Sequence, residues 1–93
     1  MENCWILTNG KIEQWVVKTF NSNNQGRVDF PINFISTSYF ASPFVKSTRN
    51  VNSTFSLIYV TRNENYIEGY LFYANPTGSG WANDTATIYI NGY

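Results

Sequence analysis

The sequence predicts an all-β fold, and three of its features indicate this. Asn, Thr, Ser and Tyr are abundant, whereas good helix formers such as Ala, Leu, Glu and Lys are sparse. Apolar residues recur with the period of two that is typical of strands, and no stretch has convincing helical periodicity. Clusters of Gly, Pro and Asn separate these runs. With 93 residues the chain is long enough for one core, so we expect a single domain over residues 1–93.

The first predicted element is a β-hairpin. Residues 5–7 and 12–20 are apolar runs, and the turn 8–11 between them contains Asn9-Gly10. Asn-Gly between two apolar runs is the strongest short-range signal for a hairpin, because both residues tolerate the positive φ angles that the tight turn requires. We therefore expect the domain to open with two paired strands.

Five further strands complete the prediction and give a small antiparallel β-sandwich of about six to seven strands. After a polar loop come a short strand that stops at Pro31, the irregular stretch 31–36, and a strand in which Pro43 requires an edge position or a bulge. A second hairpin turns at residues 62–65, and a long loop at 75–84 precedes the last strand. The five strands are predicted at residues 27–30, 37–46, 54–61, 66–74 and 85–91.

Several strands are apolar on both faces, which a single sandwich with one wet side does not need. In the second hairpin, Tyr70 and Phe72 alternate with the equally apolar Ile67, Leu71 and Tyr73. One interpretation is that the tyrosines lie at the surface with their hydroxyl groups in water. The other is that the outer face packs on further copies of the chain in a closed oligomer.

The predicted strands alternate in direction, so alternate loops fall at the same end of the domain. The loops 21–26, 47–53 and 75–84 share one end, and they are rich in Asn, Ser and Gly. A sugar ring offers an apolar face for stacking on an aromatic ring and hydroxyl groups for amides and charged groups. The candidate ligand-binding residues are Trp81, Asn83, Asp84, Arg49 and Asn50. The alternative for Trp81 is a packing role over the edge of the core.

Composition argues against several other functions. Six basic residues balance six acidic residues, so there is no basic field for nucleic acid or anionic lipid. No apolar stretch approaches the roughly 18 residues of a membrane span. Without histidine, the common nucleophile pairs and the commonest zinc ligand are missing, and the few carboxylates are scattered. We expect a non-enzymatic domain with no metal site and no cofactor.

Three motifs resemble the C-terminal domain of phage tail-fibre proteins of the gp53-like kind. They are Asn9-Gly10 followed by Gln14-Trp15, then the run Val28-x-Phe30-Pro31-x-x-Phe34, and the closing Gly92-Tyr93. The chain departs from the family at residues 88–91, where Ile-Tyr-Ile-Asn replaces the usual Trp-Ile-Ala-Ile. More weakly, residues 81–89 resemble the Trp-x-x-Asp-Thr loop of H-type lectins, which are trimeric sandwiches that bind amino sugars.

These resemblances imply a homotrimeric, H-type-lectin-like distal domain at the C-terminus of a longer fibre. Its location would be the virion tail fibre of a phage or prophage, and its partner a bacterial surface glycan or another cell-surface receptor. One alternative is a domain that only trimerises or caps the fibre. A polysaccharide-degrading enzyme is a third possibility, disfavoured by the missing catalytic residues.

Overall fold

A computed structural model describes residues 3–45 and 53–93, which form eight strands in two antiparallel sheets. The strands are β1 Asn3–Thr8, β2 Lys11–Thr19, β3 Gly26–Asp29, β4 Phe40–Val45, β5 Thr54–Arg62, β6 Tyr66–Asn75, β7 Gly78–Trp81 and β8 Thr85–Gly92. The first sheet has the strand order β1-β2-β8-β4, and the second has the order β3-β6-β5. The short strand β7 also pairs with β6.

The core lies between the two sheets and follows the alternation of each strand. In β2, β6 and β8, buried residues alternate with partly exposed ones, as expected when every second side chain points inward. The buried apolar cluster therefore draws on both sheets and on the irregular segment between β3 and β4. Its members are Ile12, Val16, Phe20, Val28, Phe30, Phe34, Tyr39, Ile67, Leu71, Ala82, Ala86, Ile88 and Ile90.

The first hairpin and the edge position of Pro43 are confirmed. Asn9 and Gly10 both have positive φ angles, of 52° and 81°, which match the tight turn between β1 and β2. Pro43 lies in β4, the outermost strand of the first sheet, where its missing N–H breaks no ladder.

Two strand predictions are wrong. The stretch 75–84 is not one long loop, because Gly78–Trp81 forms β7 and pairs with the half of β6 that β3 leaves free. The fourth strand begins at Phe40 instead of residue 37, because Arg62 binds the carbonyl groups of Thr37 and Tyr39 and holds this segment off the sheet. The described residues therefore form eight strands instead of six or seven.

Gln14 is a buried polar clamp that joins two of the sequence motifs. Its side chain is 0% exposed and lies on the inward face of β2. The Nε2 atom donates to the carbonyl oxygen of Ile32 at 2.6 Å, and the Ile32 N–H donates to Oε1 at 2.7 Å. The side chain thus pairs with the main chain of Ile32 as a neighbouring strand would. The irregular segment after Pro31 is fixed to the first sheet by this pair of bonds.

An aromatic cluster fills the same end of the core. Phe30 packs edge-on against Phe34 and Tyr39, with ring centroids 5.3 and 5.1 Å apart. Phe34 and Tyr39 stack at 4.8 Å, and the Tyr39 hydroxyl donates to the carbonyl oxygen of Asn63 at 2.8 Å. The cluster therefore ties the segment between β3 and β4 to the turn between β5 and β6.

Candidate functional site

The outer face of the second sheet carries an aromatic platform, formed by Tyr70, Phe72 and Trp81. Phe72 and Trp81 are direct partners across the β6–β7 ladder, so their side chains leave the sheet on the same face. Trp81 stacks on Tyr70 at 4.7 Å with 24° between the ring planes, and meets Phe72 edge-on at 5.7 Å. Trp81 remains 43% exposed. The platform thus holds an indole in a fixed orientation while leaving part of it open to solvent.

Trp81 is placed there by the way the chain leaves β7. The Ala82 N–H donates to the carbonyl oxygen of Leu71 at 2.7 Å, and the Ala82 side chain is buried. Because successive side chains alternate, Trp81 and Asn83 are both exposed on either side of this buried alanine. The prediction that Trp81 lies in a loop is wrong, since it is the last residue of a strand.

Asn83 bridges the two described loops at this end of the domain. Its Oδ1 atom accepts the Ser22 N–H at 2.7 Å, and the neighbouring Phe20 N–H donates to the Asp84 carbonyl oxygen at 2.9 Å. The loop after β2 therefore lies beside the segment after β7, as the alternation of strand directions predicts. Part of the Asn83 side chain is committed to structure, whereas its exposed NH2 group donates to no protein atom in the described parts of the chain.

The predicted ligand-binding residues are only partly brought together. Trp81 and Asn83 are neighbours on the exposed surface, and Asp84 is half-buried beside them. Arg49 and Asn50 lie outside the described residues, as does most of the predicted loop 47–53. The sequence does not predict the platform. The alternation of Tyr70 and Phe72 with Leu71 indicates an apolar outer face, but no sequence pattern indicates that Phe72 pairs with Trp81.

Further along the same face, Arg27 and Tyr66 form a charged continuation of the aromatic surface. The guanidinium carbon of Arg27 lies 3.7 Å from the centre of the Tyr66 ring, and Nε forms an ion pair with Asp29 at 2.8 Å. This hydrogen bond to Asp29 is the largest contribution that raises the pKa of Arg27. Asp29 thus neutralises the charge of Arg27, and the guanidinium group is held against the Tyr66 ring. Arg27 is therefore a weak candidate for an anion site.

The outer face of the first sheet is a second apolar surface. Trp15 packs against Tyr89 with ring centroids 5.3 Å apart, and the Tyr89 hydroxyl donates to Glu13. Phe40 and Phe44, on the adjoining edge strand β4, are 75% and 62% exposed. Their register partners on β8 are Asn91 and Thr87, which share this outer face. Apolar side chains this exposed are typical of a surface that contacts another molecule.

Other site chemistries have no counterpart in residues 3–45 and 53–93. No cluster of three or more His, Cys, Asp or Glu residues in these ranges could hold a metal ion. Within the same ranges, no helix has the length and apolar character needed to cross a membrane.

Comparison with known proteins gives one family match. No curated protein matches the chain, and no solved structure matches it. A family model described as "Putative tail fiber protein gp53-like, C-terminal" matches residues 6–90. This range includes the Asn9-Gly10 hairpin, the Gln14 clamp with its partner Ile32, and the aromatic platform. The chain therefore belongs to the gp53-like C-terminal family of tail-fibre proteins.

Proposed function

We propose that this chain is the non-enzymatic, C-terminal distal domain of a phage or prophage tail fibre, and that it attaches the particle to a glycan on the bacterial surface. The observation that carries the proposal is the aromatic platform. An indole fixed by Tyr70 and Phe72 and 43% exposed offers a rigid stacking surface for the apolar face of a sugar ring. The exposed amide NH2 of Asn83 lies two residues away and can donate to a ring hydroxyl.

The arrangement of aromatic and amide groups, and not the charge of the chain, supports a saccharide over other ligands. The chain has no net charge, so long-range attraction of nucleic acid is not favoured. An aromatic surface with adjacent amide groups recognises a neutral sugar by stacking and hydrogen bonding, and it needs no catalytic group. Asp84, Arg49 and Asn50 remain proposed contributors to the same site.

The test is a glycan array that carries bacterial surface polysaccharides, probed with the purified domain. We expect retention on a subset of saccharides and a loss of about 5- to 150-fold in affinity for Trp81→Ala, which corresponds to about 1 to 3 kcal/mol for removing an aromatic anchor. Ile35→Ala is a control, because it removes a large apolar side chain that is 87% exposed and belongs to neither the platform nor the outer face of the first sheet. Equal binding by wild-type and Trp81→Ala proteins would contradict the proposal.

We also propose a homotrimer that packs through the outer face of the first sheet. The exposed Phe44 beside the Trp15–Tyr89 pair favours this assembly, because such an apolar face is better covered by another copy than left in water. This face is the observation that favours the structural alternative, in which the domain only trimerises or caps the fibre. The proposed likeness to H-type lectins is part of the same proposal, because those lectins are trimeric sandwiches.

Light scattering tests the assembly. The wild-type chain should have a mass of about three times 10.7 kDa at micromolar concentration. Phe44→Glu should shift the protein to monomer, because a carboxylate without a partner is costly to bury at an interface. Tyr70→Glu introduces the same charge on the opposite face and should leave the trimer intact. A monomeric wild-type protein would refute the trimer, and a trimer without binding on the array would favour the purely structural role.

A further inference from the structure

A pocket built around Arg62 lies at the end of the domain opposite to Asn83. It is open to solvent, has a volume of about 390 Å³, and is lined by Thr37, Ser38, Tyr39, Phe40, Tyr59 and Arg62. This volume falls in the range of sites that hold small molecules. We call it the arginine pocket. It shares no residue with the aromatic platform.

The guanidinium group of Arg62 is held rigidly by the chain. Its Nη2 atom donates to the carbonyl oxygens of Thr37 and Tyr39 at 2.5 and 2.6 Å. The guanidinium carbon lies 4.2 Å from the centre of the Tyr39 ring and 5.1 Å from that of the Tyr59 ring. Two carbonyl bonds and two ring contacts fix the position of the charge before any ligand arrives, which lowers the entropic cost of binding.

The charge of Arg62 is not neutralised by a carboxylate in the described parts of the chain. The ion pair found there joins Arg27 to Asp29. Both main-chain hydrogen bonds of Arg62 leave from Nη2, and Nε is buried without a hydrogen-bond partner among the described residues. Since guanidinium carries five N–H donors and a positive charge, the group retains both charge and donors for an oxyanion.

The walls of the pocket are aromatic and exposed. Tyr59 is 50% exposed and Phe40 is 75% exposed, and both line the same cavity as the guanidinium group. Tyr59 lies where β5 bulges between Tyr59 and Thr61, and bulges are frequent beside functional sites because they redirect side chains. A fixed positive charge between exposed rings suits a ligand that combines an oxyanion with an apolar face.

We propose that the arginine pocket binds an anionic saccharide, whose carboxylate or phosphate group accepts hydrogen bonds from Arg62 while its ring packs on Tyr59 and Phe40. This inference rests on the proposed function, because it takes the ligand to be a surface glycan. It adds a second subsite and a charge requirement to that function. The alternative occupant, a bare inorganic anion, would use the arginine but not the rings.

The experiment is a calorimetric titration of the purified domain with four probes. These are methyl β-glucuronide, glucose 6-phosphate, methyl β-glucoside and inorganic phosphate. We expect the two charged sugars to bind, the neutral sugar to bind at least about 10-fold more weakly, and inorganic phosphate to bind more weakly than glucose 6-phosphate. Binding of the glucuronide alone or of glucose 6-phosphate alone would identify the source of the oxyanion. Equal binding of inorganic phosphate and glucose 6-phosphate would overturn the saccharide assignment.

Variants separate this site from a purely structural role of Arg62. Arg62→Gln should lower affinity for the charged sugars by about 10- to 100-fold, since a hydrogen bond to a charged group is lost. Arg27→Gln is the matched control and should change it by less than about 2-fold, because Arg27 is already paired with Asp29. Tyr59→Ala keeps both hydrogen bonds of Arg62 to carbonyl groups, so it tests the pocket even if Arg62→Gln does not fold. It should lower the affinity for the charged sugars by about 5-fold.

The outcomes distinguish this proposal from that for the platform. If Trp81→Ala abolishes array binding while the charged sugars fail to bind the wild-type domain, the arginine pocket is refuted and the platform stands. If the charged sugars bind equally well to wild-type, Arg62→Gln and Tyr59→Ala proteins, Arg62 serves only to hold residues 37–39. If the charged sugars bind through Arg62 while Trp81→Ala changes nothing on the array, recognition belongs to the arginine pocket.

Discussion

Replacing Gln14 by Leu tests the buried clamp between β2 and the segment after Pro31. The change keeps nearly the same volume at a position that is 0% exposed, so no large cavity forms. It removes the bonds of 2.6 and 2.7 Å to Ile32 and leaves the N–H and carbonyl of Ile32 without partners. A hydrogen bond is worth about 0.5 to 1.5 kcal/mol net, and each orphaned buried group costs about 1 to 3 kcal/mol.

The expected loss follows from these terms. Ile32 is only half-buried, so water relieves part of the penalty, and the leucine gains some apolar burial. We therefore expect the free energy of unfolding to fall by about 2 to 4 kcal/mol. A chain of this length has about 5 to 14 kcal/mol in total, so the variant should lose a large fraction of its stability.

The assay is urea unfolding followed by tryptophan fluorescence at one fixed protein concentration, because assembly makes apparent stability depend on concentration. Gln25→Leu makes the same chemical change at an exposed glutamine and should stay within about 0.5 kcal/mol of wild type. Hydrogen exchange gives a local readout, since the Ile32 amide should lose protection in Gln14→Leu. Equal stability of the two leucine variants, or an Ile32 amide that stays protected in Gln14→Leu, would refute this role of Gln14.

Two further predictions concern packing and pH. A Cβ atom at Gly69 would lie 2.0 Å from the Ile58 carbonyl oxygen, so Gly69→Ala should lower the free energy of unfolding by about 3 kcal/mol or more. A Cβ atom at Gly78 meets nothing within 4 Å, so Gly78→Ala should be neutral to slightly stabilising. Thermal unfolding of both variants checks this, and equal melting temperatures would contradict it. Burial raises the pKa of Tyr39 above its usual value, and the hydrogen bond to Glu13 raises that of Tyr89. The unfolded chain therefore loses these protons first as pH rises, so stability should be unaffected below about pH 10 and should fall above it. Tyr39→Phe should make this alkaline decline shallower in urea titrations between pH 8 and 11, and an unchanged slope would exclude Tyr39 as a contributor.

Local signals made much of the fold predictable. Asn9-Gly10 specified a turn because both residues accept positive φ, and Pro43 specified an edge because it cannot donate to a ladder. The apolar alternation of β6 correctly indicated two apolar faces. These features depend only on neighbouring residues, and so they are readable from the chain.

What the sequence did not predict depends on contacts between distant segments. The strand β7 begins with Gly78-Ser79-Gly80, which has little intrinsic preference for a strand, and it forms because β3 covers only part of one edge of β6. The aromatic platform follows from this pairing, so it was also missed. The contact between Gln14 and Ile32 could not be predicted either, because the two residues are 18 positions apart in the sequence. The arginine pocket likewise joins residues from separate segments and could not be seen in either alone.

Tyr59 and Tyr73 show how register decides which face a residue occupies. The ladder pairs Tyr59 with Gly69 and Tyr73 with Phe55, so both lie on the side of the sheet that faces the core. Tyr70 and Phe72 occupy the outer face instead. Charge substitutions that probe that face should therefore be made at Tyr70 or Phe72.

The most direct test of the central claim is an NMR titration of the three indole N–H signals. The chain contains three tryptophans, Trp5, Trp15 and Trp81, and the Trp81→Ala variant identifies which signal belongs to the platform. On addition of a polysaccharide fragment retained on the array, the account predicts a saturable shift of the Trp81 signal that is clearly larger than the shifts of the other two. If that fragment shifts only the Trp5 or Trp15 signal, or if it binds with no change at Trp81, the platform is not the site of attachment.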